Sequence, residues 1–135
     1  MAHPIIQTVP TQEGNVITYP TEIDLSALLY KPVKVVGSLI VAVAEGEMPI
    51  GILQNAPKGT AAQPDSANVA VDALAIIKVD GTVLGGDFLK VGSAGAVVKA
   101  DADGDNYFAQ VLDDAEDGDA VACKIVNGTL RVVGA

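Results

Sequence analysis

From residue 33 onward, short runs of Val, Ala, Ile and Leu alternate with breaks at Gly, Asp and Asn. The runs are Val33–Val36, Leu39–Ala44, Ile50–Leu53, Val69–Val79, Phe88–Val91, Ala96–Lys99, Tyr107–Leu112, Ala120–Val126 and Thr129–Val133, with a shorter one at Thr82–Leu84. They recur at intervals of roughly ten residues, the spacing of an all-β sandwich or barrel. No segment in this stretch keeps a helical period long enough to hold a helix. β-Branched side chains dominate the apolar set, and they fit a pleated, half-buried surface. Asp80-Gly81 and Asn127-Gly128 stand between β-prone runs, where such pairs signal tight hairpins. Residues 59–68 read as a polar loop.

Residues 1–32 have a different texture. Pro4, Pro10, Pro20 and Pro32 recur among Thr, Gln and Glu. Proline removes a ladder donor and restricts the residue before it. This stretch reads as an extended N-terminal arm with strand-like pieces such as Val16–Tyr19, leading into a β-domain at 33–135. Thr21 to Asp24 precedes Leu25–Tyr30, either a single capped helical turn or a loop over the core. A faint repeat links Ile52–Gly59 with Val111–Gly118 and Gly37–Ile40 with Gly86–Leu89, suggesting two related β-units.

Charge and composition narrow the function. The net charge is −9, with one Arg and seven scattered Lys. Phosphate-backbone binding draws its affinity from Lys and Arg, so the balance argues against nucleic acid and against an anionic membrane surface. It favours docking on a basic or mixed partner surface. The single cysteine, Cys123, has no partner within the chain and sits in an apolar run, where it packs as a small hydrophobe. The N-terminus lacks a signal-peptide pattern, and Asn127-Gly128-Thr129 reads as a turn rather than a glycosylation site.

Candidate chemistry is sparse. The one histidine, His3, lies in the arm, no Ser, Cys or Thr sits in a nucleophile elbow, and the glycines open no phosphate loop. These patterns predict neither an enzyme nor a cofactor. The best metal candidate is Asp101, Asp103 and Asp105, spaced like the start of an EF-hand loop. Position six is Asn106 rather than Gly, and position twelve is Leu112 rather than a bidentate Glu, so a solvated acidic turn is the stronger reading. Asp113, Asp114, Glu116, Asp117 and Asp119 form a second acidic patch, read as a charged loop.

Several short motifs then point to a family. Gly46-Glu47-Met48-Pro49-Ile50-Gly51-Ile52-Leu53, followed by Ala56 and Gly59, comes first. The Gly86-Asp87-Phe88-Leu89 step, Asn106-Tyr107-Phe108-Ala109-Gln110-Val111, a Gly118 turn and a last Val-rich strand follow in order. Together they resemble the capsid cement, or head decoration, proteins of tailed bacteriophages, across about two-thirds of the chain. Ala109-Gln110 departs from the family pattern, which often has Gly after the aromatic-apolar pair. The resemblance implies a small β-barrel or β-tulip-like domain of short antiparallel strands. It implies a structural protein on the outer capsid surface of a virion, made in the host bacterial cytoplasm. Its partners would be the major capsid protein and its own copies, as a homotrimer. The contact residues expected are Pro4, Ile5, Ile6, Val9, Pro10, Val16, Ile17 and Tyr19 in the arm, and Glu47, Met48 and Pro49 in a loop. The loop at 54–66 is a further candidate. The alternative reading is a β-barrel carbohydrate- or ligand-binding module of a virion.

Overall fold

The computed structural model describes residues 5–8 and 15–132, with 5–8 and Asn15 described as backbone only. All the long elements are strands, and every strand pairing is antiparallel. The strands are β1 (Ile5–Thr8), β2 (Asn15–Thr21), β3 (Pro32–Val36), β4 (Leu39–Ala42), β5 (Gly51–Leu53), β6 (Asp65–Ala70), β7 (Ala73–Lys78), β8 (Phe88–Val91), β9 (Val97–Lys99), β10 (Asn106–Val111) and β11 (Ala120–Thr129). They form two open sheets, ordered β1-β2-β6-β5-β3-β4 and β7-β11-β10-β8-β9. The all-β fold of short antiparallel strands is as the sequence predicts, and neither sheet closes into a barrel.

Residues 15–32, in the stretch read from sequence as the arm, contribute β2 and a 3-10 turn at Ser26–Leu28. Strand β2 pairs with β6 from Val16↔Ala70 to Thr21↔Asp65. The Asp24 carboxylate precedes the turn and accepts from the Ser26 N–H at 2.8 Å. Expected contact residues Pro4, Val9 and Pro10 lie outside the described residues.

The two sheets are copies of one unit. With β1 set aside, the first sheet runs β2-β6-β5-β3-β4, and the second has the same order from the first, last, fourth, second and third strands of its half. Register makes the match residue by residue. Val33 stands opposite Gly51 and Ala42, as Leu89 stands opposite Ala109 and Lys99. Tyr30 N–H donates to Leu53 O and Leu53 N–H to Lys31 O; Gly86, Val111 and Asp87 repeat that pair of bonds. Leu25 N–H to Pro57 O is matched by Val83 N–H to Ala115 O. The first core holds Leu25, Val33, Ile40, Leu53, Ala67 and Val69. Their register counterparts Val83, Leu89, Val97, Val111, Val121 and Cys123 are all buried in the second core.

The sequence repeat was therefore real but partly misaligned. The Gly59 and Gly118 positions correspond, the first beside the carbonyl of Thr21 at the end of β2 and the second beside that of Val79, one residue past β7. At the strand end the equivalent of Val111 is Leu53, one residue on from Ile52. The Gly37–Ile40 match fails, because β4 corresponds to β9 rather than to β8.

Three other expectations change. The Val69–Val79 run is two strands, broken at Val71-Asp72 where the chain passes between units, and Ala73 takes φ +59°. Asp80-Gly81 turns the chain but joins no hairpin, since Thr82–Leu84 supplies only a single bridge, Val83 to Ala115. Asn127-Gly128 lies inside continuous β11. Gly128 is the cross-strand partner of Tyr107, and a Cβ there would run into the Tyr107 ring. The glycine makes room for an aromatic rather than a turn.

The units differ where they meet. Alternation along β5 and β6 turns Leu53 and Val69 into the first core, and Ile52 and Ala70 out the back. That back face, with Val43, packs into the second core. The counterparts of Ile52 and Ala70 in the second unit are the half-buried Gln110 and the exposed Lys124, and the described residues form no third unit over them. Polar bonds complete the junction. Gln54 mimics a strand at the outer edge of β7, donating to Ile76 O at 3.0 Å and accepting from Ile76 N–H at 3.1 Å. Lys78 N–H donates to Tyr30 O at 2.9 Å, and Lys31 Nζ reaches Asp80 Oδ2 at 2.6 Å. Gln54 thus guards an edge that would otherwise invite strand pairing.

Ile52 is fully buried between the units. Ile52→Ala should destabilise the protein by about 2–5 kcal/mol in urea unfolding. Met48→Ala, at an exposed position, should change stability by no more than about 0.5 kcal/mol.

Candidate functional site

Duplication supplies an internal control, since each unit displays what the fold requires at the other's positions. The ion pair beside the β3–β4 hairpin is one shared requirement. Lys34 on β3 binds Glu47 at 2.7 Å, and its counterpart Lys90 on β8 binds Asp105 at 2.9 Å. In each unit the carboxylate also takes backbone N–H groups of the incoming loop. Glu47 accepts from Ala44 at 2.6 Å, and Asp105 accepts from Ala102 at 2.9 Å and Asp101 at 3.1 Å. Glycines at positive φ, Gly46 and Gly104, precede both. The Lys34 hydrogen bond lowers the Glu47 pKa, with the Ala44 amide next in effect. The Ala102 amide leads for Asp105, followed by Lys90.

Two of the three candidate aspartates have partners within the fold. Asp105 is committed to Lys90 and the loop amides, and Asp103 Oδ1 accepts from Val132 N–H at 3.0 Å. Asp101 is exposed beside them. Among the described residues no group of three His, Cys, Asp or Glu side chains is placed to hold a metal. The second acidic patch likewise holds loops together. Asp114 accepts from Gly85 N–H at 2.8 Å, Asp117 from Gly81 at 2.9 Å and Asp119 from Glu116 at 2.9 Å.

What differs between the units is the surface around the first ion pair. Lys34 and Val36 share one side of β3, and Leu39 is the cross-strand partner of Val36. The Glu47 contact brings Met48 and Ile50 to the same end. Val36 and Leu39 are each 52% exposed, Met48 45% and Ile50 38%. By register and by the paired loops, their counterparts are Gly92, Ala96, Asn106 and the buried Phe108. The fold does not need an exposed apolar cluster at this end, and only the first unit carries one. Of the expected loop contacts, Met48 is exposed, Glu47 is half-buried on Lys34, and Pro49 is buried. Val16, Ile17 and Tyr19 are half-buried on β2, with Tyr19 against the first core. Ile5 and Ile6 lie in β1. Val36 and Leu39 escaped the sequence reading because a Val-Val-Gly-Ser-Leu-Ile run looks like any buried hairpin; the polar or small residues at the matching places of the second unit were the available signal.

No protein-family model matches the chain, and no curated protein matches it. A solved structure, the N base of head fiber gp8.5 of bacteriophage phi29, is similar with a TM-score of 0.66 and 17% sequence identity. The match covers 87% of this chain and 98% of that one. At that identity the likeness establishes a shared fold: both units together form the domain that the fiber base also adopts.

Two measurements follow. Burial pushes the Cys123 thiol up to about 12, so thiol reagents should label it only in denaturant; labelling of the native protein at the unfolded rate would refute its burial. Glu47 and Asp105 are held below ordinary carboxylate values, so their stabilisation is complete above the unfolded pKa and lost as pH falls through the lowered one. Urea midpoints should be level between pH 7 and about 5 and should drop below about 4.

Proposed function

We propose that this chain is a structural accessory protein of a bacteriophage head, which binds the outer face of the major capsid protein lattice and reinforces it. The observation that carries the reading is the shared fold with a phage head fiber base, over nearly the whole of both chains. The ordered motifs resembling head decoration proteins support it independently. So does the distribution of exposed apolar side chains, which form a surface rather than a catalytic cleft.

In this reading the first unit faces the shell. Val36, Leu39, Met48 and Ile50 provide the apolar centre, and the Lys34–Glu47 pair holds the 45–50 segment in place. The N-terminal residues add a second contact through β1, the strand at the other edge of the first sheet. Three copies gather around the three-fold positions of the lattice, so that many modest contacts sum to a stable shell. The second unit stands outward and fixes the shape of the first.

Co-sedimentation with purified heads of the phage that encodes this chain tests the proposal. Leu39→Lys and Met48→Glu should each weaken binding about tenfold or more while leaving urea stability within about 0.5 kcal/mol. Deletion of residues 1–8 should weaken it further. Undiminished binding by the Leu39→Lys, Met48→Glu double variant would refute the assigned contact surface, and absence of binding by the wild-type protein would refute the function.

A further inference from the structure

The outer face of the second sheet is apolar where the first unit's is polar. Along β7, Ala75 and Ile77 point into the core, and Leu74, Ile76 and Lys78 point out. Ala122 stands opposite Ile76 on β11, and Leu112 N–H donates to Ala122 O, so Leu112, Ala122 and Ile76 lie in one row across the sheet. A Cβ at Gly85 would sit 3.2 Å from Leu112 O, which brings neighbouring Leu84 to the end of that row. Leu84 is 59% exposed, Leu112 45%, Leu74 40% and Ile76 36%. The same row in the first unit is Gln54, Asn68 and Thr18, with the Thr18 hydroxyl donating to Asn68 Oδ1 at 3.2 Å. The fold therefore accepts polar residues here, and the second unit has apolar ones. A mostly apolar groove of about 370 Å³, walled by Val16, Ala70, Leu74, Ile76 and Ala122 with Gln54 at the β7 edge, continues this surface to the junction with the first unit.

We propose that this face is a self-association surface, packed against the same face of a second copy of the chain. Charge is what selects the occupant. In a chain of net charge −9, the charged side chains that β7 and β11 turn to this face are Lys78 and Lys124. Strands β7 and β10 both run antiparallel to β11, so Asp113 and Asp114, just past the end of β10, lie level with Lys78. A second copy turned about an axis along β11 sets its Leu112 over Ile76 and its Asp113–Asp114 end over Lys78. The contact is made twice, as two-fold symmetry requires. Small Ala122 in the middle lets the sheets approach to ordinary sheet-on-sheet spacing. The two Lys124 stems lie over apolar surface, with their ammonium groups at the rim. This contact is independent of what the first unit binds, and on a capsid it would join copies held at neighbouring positions.

Sedimentation of the full chain across micromolar concentrations provides the test. The wild type should dimerise, and Ala122→Arg should weaken the dimer about tenfold or more. Leu112→Asp, at a more exposed position, should do the same with an unchanged urea midpoint, which separates loss of contact from loss of fold. Lys78→Glu should weaken association, and Lys78→Glu combined with Asp113→Lys should restore it. Head binding by these variants at saturating concentration should match the wild type, so failure here is distinct from failure of the capsid reading. A wild type that stays monomeric, or an oligomer indifferent to Ala122→Arg and Leu112→Asp, would overturn the proposal.

Discussion

The packing of Ile52, Ala70 and Val43 into the core of the second unit is the contact on which the molecule depends. A five-stranded sheet of short strands has one face to bury and too little material to do it alone. The first unit covers its core with Leu25, Leu28, Tyr19, Val35 and Val71. The second is completed by the back of its neighbour. Two positions on β5 and β6 thus carry apolar side chains on both faces, as strands in a fully covered sheet do. Their counterparts are polar, the half-buried Gln110 and the exposed Lys124.

This asymmetric stacking gives each unit a separate role. The conserved design within the chain is clear: six matched core positions, matched lysine–carboxylate pairs and matched loop bridges. Departures from it are concentrated on the surface. The first unit gathers exposed Val36, Leu39, Met48 and Ile50 at its hairpin end, and the second gathers Leu74, Ile76, Leu84 and Leu112 on its outer sheet face. A protein with such a surface on each of its two units can touch two different neighbours.

Much of the fold was legible in the sequence, because strand-forming runs and glycine breaks act locally. Val33–Val36, Phe88–Val91 and Tyr107–Leu112 fall within a residue of their observed bounds. What the sequence concealed was set by distant partners. Gly128 reads as a turn until Tyr107 is seen lying across it, and Val69–Val79 reads as one strand until the unit boundary at Val71-Asp72 is known. The repeat was audible only in its loops, since core positions such as Val69 and Cys123 share burial but not identity. The acidic turns were legible as turns, but not the amides that Asp105, Asp114, Asp117 and Asp119 accept from, since those depend on how each loop closes. The Met48 segment was singled out from its motif, whereas the apolar partners Val36 and Leu39 required the comparison of the two units.

Native-state hydrogen exchange tests the dependence of one unit on the other most directly. If the back of the first unit completes the second core, the most protected amides of β5 and β6 and those of β7 and β11 should exchange with one common free energy, equal to that of global unfolding. Exchange of the β7–β11 amides through a separate opening, at a free energy well below that of β5 and β6, would contradict it.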